Sequence, residues 1–326
     1  MHEPSLPGAA DRLSPSDPSG LQRRLTAILQ AAPAPTVCVA RRRDEGGDLM
    51  VAGQSLLEHV RHRVGSLQRA GLRRGDVLAS DALGVGRVID ALAAVIGGFV
   101  YWPCSDHRRI VDGPLVSDSG SPLVWRPNPL VGIGALPAMP HEPPAALPMR
   151  LSVKLRDIME PAGGHVRVLA GAGTDRTPFA INAQTIGRLG SALRRRLNIR
   201  RQSVRYCAAP AESAAGTLLD LLPGIVARQV MVVPTELHPS STTIVRAIGR
   251  YHPDSLTLTL EQATGLVETP MDETTLSALR NADLLIADAN PVPHKLREQL
   301  RPMVRRLDIA YLLPEAGDAF LVGAVP

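Results

Sequence analysis

Hydrophobic positions recur along this chain in two rhythms, one of three to four residues and one of short continuous runs, and the two take turns. Leu21, Leu25 and Leu29 sit four apart and predict a short helix. Residues 37–40 form a brief β-prone run, and residues 41–48 a charged turn containing Gly46 and Gly47. Leu56, Leu57, Val60, Val64 and Leu67 then fall at helical spacing, with Ser55 predicted as the cap and Gly71 as the stop. Gly75 and Asp76 turn the chain into a strand at 77–79. A second helix through Val88, Ile89, Leu92, Ala93, Val95 and Ile96 ends at Gly97-Gly98, before a strand at 99–102. Strand, helix and strand in that order imply a parallel sheet with a right-handed crossover.

The same alternation returns after residue 150. A β-prone run at 166–169 leads through small residues towards a helix capped by Asn182, with Ile186, Leu189, Leu193 and Leu197 facing inward. Strands follow at 204–208, 230–233, 256–258, 283–287 and 309–311, separated by helices at 216–226, 242–251, a stretch after 258, and 295–304. Between the halves, eight prolines from Pro122 to Pro148 exclude a long helix. The expected organisation is therefore a flexible extension at 1–20, a first α/β lobe at 21–121, a proline-rich crossing at 122–150 and a second α/β lobe at 151–326. Each lobe is expected to hold a mainly parallel sheet layered by helices.

Composition narrows the function classes. With 44% hydrophobic and 21% charged residues, the 326-residue chain can bury a sizeable core. No run of eighteen uncharged apolar residues appears, and the N-terminus has neither a basic start nor an apolar stretch, so a cytoplasmic protein without a membrane span is expected. Cys38, Cys104 and Cys207 are odd in number and widely spaced, which fits neither a disulfide framework nor a zinc site. The net charge of +5 comes almost wholly from arginine, Lys154 and Lys295 being the only lysines. Arginine clusters such as 41–43 and 194–196 suggest nucleic acid, but aromatics make up only 3% and leave little to stack on bases, so no nucleic-acid partner is expected.

Candidate chemistry centres on residues 166–183, VRVLAGAGTDRTPFAINA. Read as strand, glycine turn and helix, this stretch would let Gly171 and Gly173 bring backbone N–H groups against a phosphate. Tight turns need the same glycines, and a dinucleotide-binding Rossmann reading lacks both a third glycine and an acidic residue about twenty residues on. No G-x-S-x-G elbow of a serine hydrolase is present.

Over a longer span, the loop 172–180 resembles a degraded S-G-T-T-G-x-P-K-G phosphate loop of the AMP-binding, adenylate-forming (ANL) superfamily, which includes acyl- and aryl-CoA ligases and nonribosomal peptide synthetase adenylation domains. Gly173, Thr174 and Pro178 match; Asp175, Arg176, Phe179 and Ala180 depart. The segment 55–105 is similar to the family's N-terminal helix, G-x-x-x-G-D turn, strand and helix, with Gly71, Gly75, Asp76, Gly98, Tyr101 and Pro103 in those places. Residues 208–216 resemble the strand end before the acyl-pocket helix, with Ala211-Glu212 where an aromatic and a histidine are usual. Asp288 and Asn290 fall where the G-G-A-P-L adenine loop would be, both its glycines replaced. Tyr311 and Glu315 match Y-G-x-T-E, with Leu312 and Pro314 departing. The resemblance runs from about residue 56 to 323, in family order.

It implies the fold of the family's N-terminal part. It also implies a nucleotide site built on Gly171, Gly173, Thr174, Arg176, Asp288, Asn290, Tyr311 and Glu315, with Glu315 as the metal ligand and ATP or AMP with Mg2+ as cofactors if the chain is active. The family's ribose-binding aspartate, hinge and C-terminal lid lobe with its catalytic lysine would follow Glu315, and the sequence ends at Pro326 without them. Asp175 repels and Phe179 cannot neutralise the charge that a triphosphate brings. The expected function is thus that of a catalytically impaired ligase-like protein, partnered by another protein of a carboxylate-activating pathway or by a second copy. The alternatives are an active acid-adenylating ligase whose lid comes from another chain, and a Rossmann-like nucleotide-binding protein.

Overall fold

Two glycine-punctuated sheets account for the strands. The computed structural model describes residues 18–31, 36–40, 48–80, 82–103, 123–125, 149–150, 167–170, 179–182, 202–210, 213, 215–288, 290–313 and 318–322. The smaller sheet has six strands, β3 (Val77–Ser80), β4 (Val100–Pro103), β5 (Leu123–Trp125), β6 (Met149–Arg150), β7 (Arg167–Ala170) and β8 (Phe179–Asn182), in the order β6-β5-β3-β4-β7-β8. Its four central strands are parallel and its two edges antiparallel. The larger sheet comprises β1 (Thr36–Ala40), β2 (Leu49–Ala52), β9 (Val204–Tyr206), β10 (Val230–Pro234), β11 (Ser255–Leu258), β12 (Asp283–Asp288), β13 (Arg306–Leu313) and β14 (Asp318–Val322). Its order is β14-β13-β12-β11-β9-β10-β1-β2, parallel except at the two edges.

The βαβ unit forms as its pattern predicts. Helix α1 (Pro18–Gln30) precedes it, and α2 (Gly53–Arg69) and α3 (Gly84–Gly97) carry the apolar stripes. Gly71 and Gly75 hold φ of +99° and +92°, which side chains other than glycine tolerate poorly. Asp76 braces the same turn by accepting the Arg73 N–H at 2.6 Å. Helix α2 begins at Gly53, so Ser55 lies inside its first turn instead of capping it.

Each sheet draws strands from both sides of residues 122–150. β1 belongs to the sheet of the second half, pairing in parallel with β10 from Thr36 opposite Val230 to Ala40 opposite Pro234. β7, from the second half, pairs with β4 of the first. The chain thus passes between the sheets twice. A correction concerns the glycine loop. It leads into strand β8, not a helix, and Ala170 faces Phe179 across an antiparallel pair. Phe179, Ala180 and Ile181 are β-compatible residues that a flanking strand can recruit. Strand β8 stands where the helix-N-terminus phosphate argument and the Rossmann-like alternative expected a helix. The loop itself, with Gly171, Gly173, Thr174 and Arg176, lies outside the described residues, as does the helix expected after Asn182.

The layers follow from which face each strand residue uses. On one side of the larger sheet lie α5 (Ser241–Tyr251), α6 (Leu260–Glu268), α7 (Glu273–Arg280) and α8 (His294–Leu300). They bury Tyr206, Leu256, Leu258, Leu284, Ile286, Leu307 and Ile309 against Ile244, Ile248, Leu266, Leu279 and Leu300. On the other side, α1, α2 and α3 fill the space between the two sheets, joined by a π-helix (Ala215–Leu221) that runs into α4 (Leu222–Val226). Helix α3 touches β1 and β10 on one side and β3 and β4 on the other. Twelve of its fourteen residues are buried, which is why its pattern is apolar nearly all round. Each Val, Leu or Ile so buried contributes about 1.5–3 kcal/mol relative to exposure. Among the described residues no helix is long and apolar enough to cross a membrane.

Candidate functional site

In an open parallel sheet, ligands bind beyond the carboxyl ends of adjacent strands whose outgoing connections run in opposite directions. The larger sheet has such a place. β9 leads through the π-helix to β10 on one side, while β11, its other neighbour, leads through α6 and α7 to β12 on the far side. The crevice therefore lies between the ends of β9 and β11, and the end of β12 borders it.

Side chains fix the rim of this crevice. Thr259 caps α6 by accepting the Gln262 N–H at 3.3 Å, and Gln262 Oε1 accepts the Thr259 N–H at 3.1 Å. The amide of Gln262 is then free to reach across and donate to the Ala208 carbonyl at 2.9 Å and the Pro239 carbonyl at 3.5 Å. One glutamine thus ties the end of β9 to the start of α6. The T-x-x-Q pattern at 259–262 was a readable signal for this capping box.

Asp288 stands at the end of β12. Its Oδ2 accepts the Leu260 N–H at 3.1 Å, and its Oδ1 accepts the Asn290 backbone N–H at 2.9 Å and Nδ2 at 3.1 Å. Both oxygens are used in turn chemistry and in completing the first turn of α6. Asp288 is also the register partner of Tyr311 on β13. The structure hence brings together Asp288, Asn290 and the Tyr311 backbone. Gly171, Gly173, Thr174, Arg176 and Glu315 lie outside the described residues. Among the described residues, no group of three or more His, Cys, Asp or Glu could hold a metal ion.

The inner side of β9 carries chemistry that the sequence pattern did not single out. Pro223 has no N–H for the Leu219 carbonyl four residues back, so that carbonyl needs another donor. Arg205 supplies it, with Nη2 at 2.7 Å from Leu219 O. The same buried guanidinium binds Asp220 at 2.9 Å and Thr257 Oγ1 at 2.6 Å. Asp220 also accepts the Ala209 N–H, at 3.3 Å, and so holds the β9 end from the inner side. Burial pushes the Asp220 carboxyl upward, opposed by Arg205. Cys207 beside it is pushed up to about 12, first by burial and then by Asp220, and is a packing residue, not a nucleophile.

Gly216 is needed where the π-helix meets β9. A Cβ there would come within 2.8 Å of the Ala209 carbonyl oxygen and of Arg87 Nη2, and closer still to the Pro210 carbonyl oxygen. π-Helical turns are rare and collect at functional sites.

No protein-family model matches the sequence, and no curated protein matches it. Solved structures do resemble the fold. ATP-bound MatB from Rhodopseudomonas palustris superposes with a TM-score of 0.66 at 17% identity, over 93% of this chain and 61% of that one. A long-chain-fatty-acid-CoA ligase, FadD1, from Archaeoglobus fulgidus gives 0.66 at 13% identity, over 94% and 66%. The NpsA N-terminal subdomain from Klebsiella oxytoca, in complex with anthranilyl-AMSN, gives 0.62 at 17% identity, over 93% and 77%. The chain spans about three fifths of the length of MatB. Two mainly parallel sheets with helices between and outside them, in this strand order, give the chain the fold of the N-terminal part of the adenylate-forming ligases.

Proposed function

We propose that this chain is an AMP-binding-ligase-like protein that takes a nucleotide and a carboxylic acid at the carboxyl ends of the larger sheet, and that it is impaired as a catalyst by itself. The observation that carries the reading is the topology at one place, seen from two sides. The switch in connection direction puts a ligand crevice between β9 and β11, and the fold around it is shared with ATP-bound MatB over 93% of the chain.

Impairment rests on the loop chemistry. Phosphoryl and adenylyl transfer need developing negative charge held by fixed donors, and one lost donor costs roughly 3–4 kcal/mol of barrier. Asp175 and Phe179 stand where the resembled loop has a threonine and a lysine. Asp288, at the position of the adenine loop, spends both oxygens on Leu260 and Asn290. The chain accordingly works beside another protein of a carboxylate-activating pathway, which supplies the chemistry this one lacks.

ATP–pyrophosphate exchange over a panel of aliphatic and aryl acids tests the reading. Exchange at or near background, with magnesium-ATP binding weaker than micromolar by calorimetry, is the expected result. Rapid exchange by the isolated chain would make it a ligase in its own right.

A further inference from the structure

The larger sheet ends on two edges of unlike character. At one edge, β14 carries a charge, Asp318. At the other, β2 reads Leu49-Met50-Val51-Ala52 and has neither a charge nor a proline, the usual guards of an open edge. Its inner side is used, since Val51 is 3% exposed and belongs to the core that Val37 and the helices between the sheets share. Its outer side is not. Met50 is 63% exposed, and among the described residues it is the one large hydrophobic side chain that is exposed. Such a residue means little on a helix surface, but on an unguarded edge it marks a strand ready to be extended.

The charges at the two ends of β2 say what extends it. Asp48, immediately before the strand, accepts the Tyr251 O–H at 2.7 Å and pairs with Arg250 at 3.1 Å, which holds it on the α5 side. Helix α2 begins at Gly53, immediately after the strand, and has no acidic residue in its first turn. The first N–H groups of a helix carry partial positive charge. One end of β2 is thus negative and the other positive. Laid antiparallel against a second β2, this arrangement is complementary to itself: each Asp48 comes opposite an Ala52, beside the start of α2 in the other copy. A twofold axis normal to the sheet keeps inner side chains with inner and outer with outer. Centred on Met50, it sets that residue directly opposite itself, with Cβ atoms about 4.5–5.5 Å apart.

We propose that β2 is the interface of a homodimer, in which two copies pair antiparallel about Met50 and join their larger sheets into one. Two strands of four residues bury little area, so the association is reversible and concentration-dependent. It needs no ligand at the ends of β9 and β11, which are separated from this edge by β1 and β10.

The test is sedimentation velocity of the full chain over a concentration series, without nucleotide or acid, so that it is independent of the exchange assay. Reversible dimerisation with no larger species is expected. Met50→Lys and Met50→Glu each set like charges opposite one another and are expected to weaken the dimer about tenfold. Their thermal midpoints should stay close to the parent's, because the side chain is exposed. An equimolar mixture of the two variants sets opposite charges across the axis and is expected to recover parental association. A parent chain that stays monomeric to its highest soluble concentration, one that grows beyond two copies, variants that dimerise as tightly as the parent, or a mixture no tighter than its components overturns the proposal.

Discussion

The two faces of the larger sheet are stabilised in different ways. Outward, three of the four helices bring their own start signals: Ser240 caps α5, Thr259 caps α6 and Asp272 caps α7, each accepting the backbone N–H of the third helical residue, while α8 starts at Pro293 without a capping side chain. Their buried surface is almost wholly apolar. Inward, α3 and α4 have Leu83 and Leu221 at their starts and no capping side chain. Most of the buried charges are there instead: Arg63, Asp90, Arg87, Arg205, Asp220 and Asp308. Outer helices are specified locally and inner ones by partners far along the chain, as in the bond from Arg87 to Gly216.

The sharpest way to break this contrast is to remove one inner charge. Asp90→Ala leaves Arg63 buried without its partner and strips Ser80 of its 2.6 Å acceptor; a loss of about 3–5 kcal/mol is expected in urea unfolding. Arg63→Met in the same chain should restore much of it. Glu273→Ala, at the exposed outer pair with Arg280, should cost less than about 1 kcal/mol. Equal effects at the two sites would end the distinction.

Gly216→Ala probes the contact of the π-helix with the β9 end. The added methyl meets backbone carbonyl oxygens on a fixed strand end, so roughly 1–3 kcal/mol should be lost. Outside, Thr259→Ala should cost about 1 kcal/mol, and it should also loosen Gln262 from Ala208. Hydrogen exchange at Gln262 and Ala263 measures that loosening, and unchanged protection there would remove Gln262 from the account of the crevice.

The smallest effect is set by pH. Hydrogen bonds from Thr275 hold the Asp272 carboxyl below its ordinary range. A lowered folded value means stability present above the unfolded value of 3.8 and lost as pH falls through the folded one. Asp272→Ala should therefore differ from the parent near about pH 5–6 and converge with it in stronger acid. A gap that persists at low pH would show that Asp272 acts through something other than its charge.

How much of this was legible follows the same division. The βαβ unit at 53–103 could be read because its stops are glycines in positive φ and its stripes keep one period. The outer strands could be read from their short apolar runs, and α5 from its apolar spacing. Sheet membership could not, because the residues of β1 and β7 suit either sheet and only pairing decides. Residues 166–183 look like strand, turn and helix, since small and glycine residues do not distinguish a hairpin from a helix entry; β8 resolves it. Asp288 and Tyr311 were found by resemblance, and the structure makes them register partners. Arg87, Arg205 and Asp220 were not singled out in the sequence, because partners such as Gly216 for Arg87 and Thr257 for Arg205 lie far along the chain.

The pairing of β1 with β10 also has a kinetic side. Strand β1 leaves the ribosome long before the residues that complete it, and Thr36 must wait for Val230. Closing so long a loop is slow, and until it closes the row of backbone donors and acceptors on β1 remains open to wrong partners. Its one local partner is β2, which pairs with it by a hairpin from Thr36 opposite Ala52 to Val39 opposite Leu49. That hairpin occupies one side of the strand early, and leaves only the other to be guarded, by chaperones or by speed, until the larger sheet arrives.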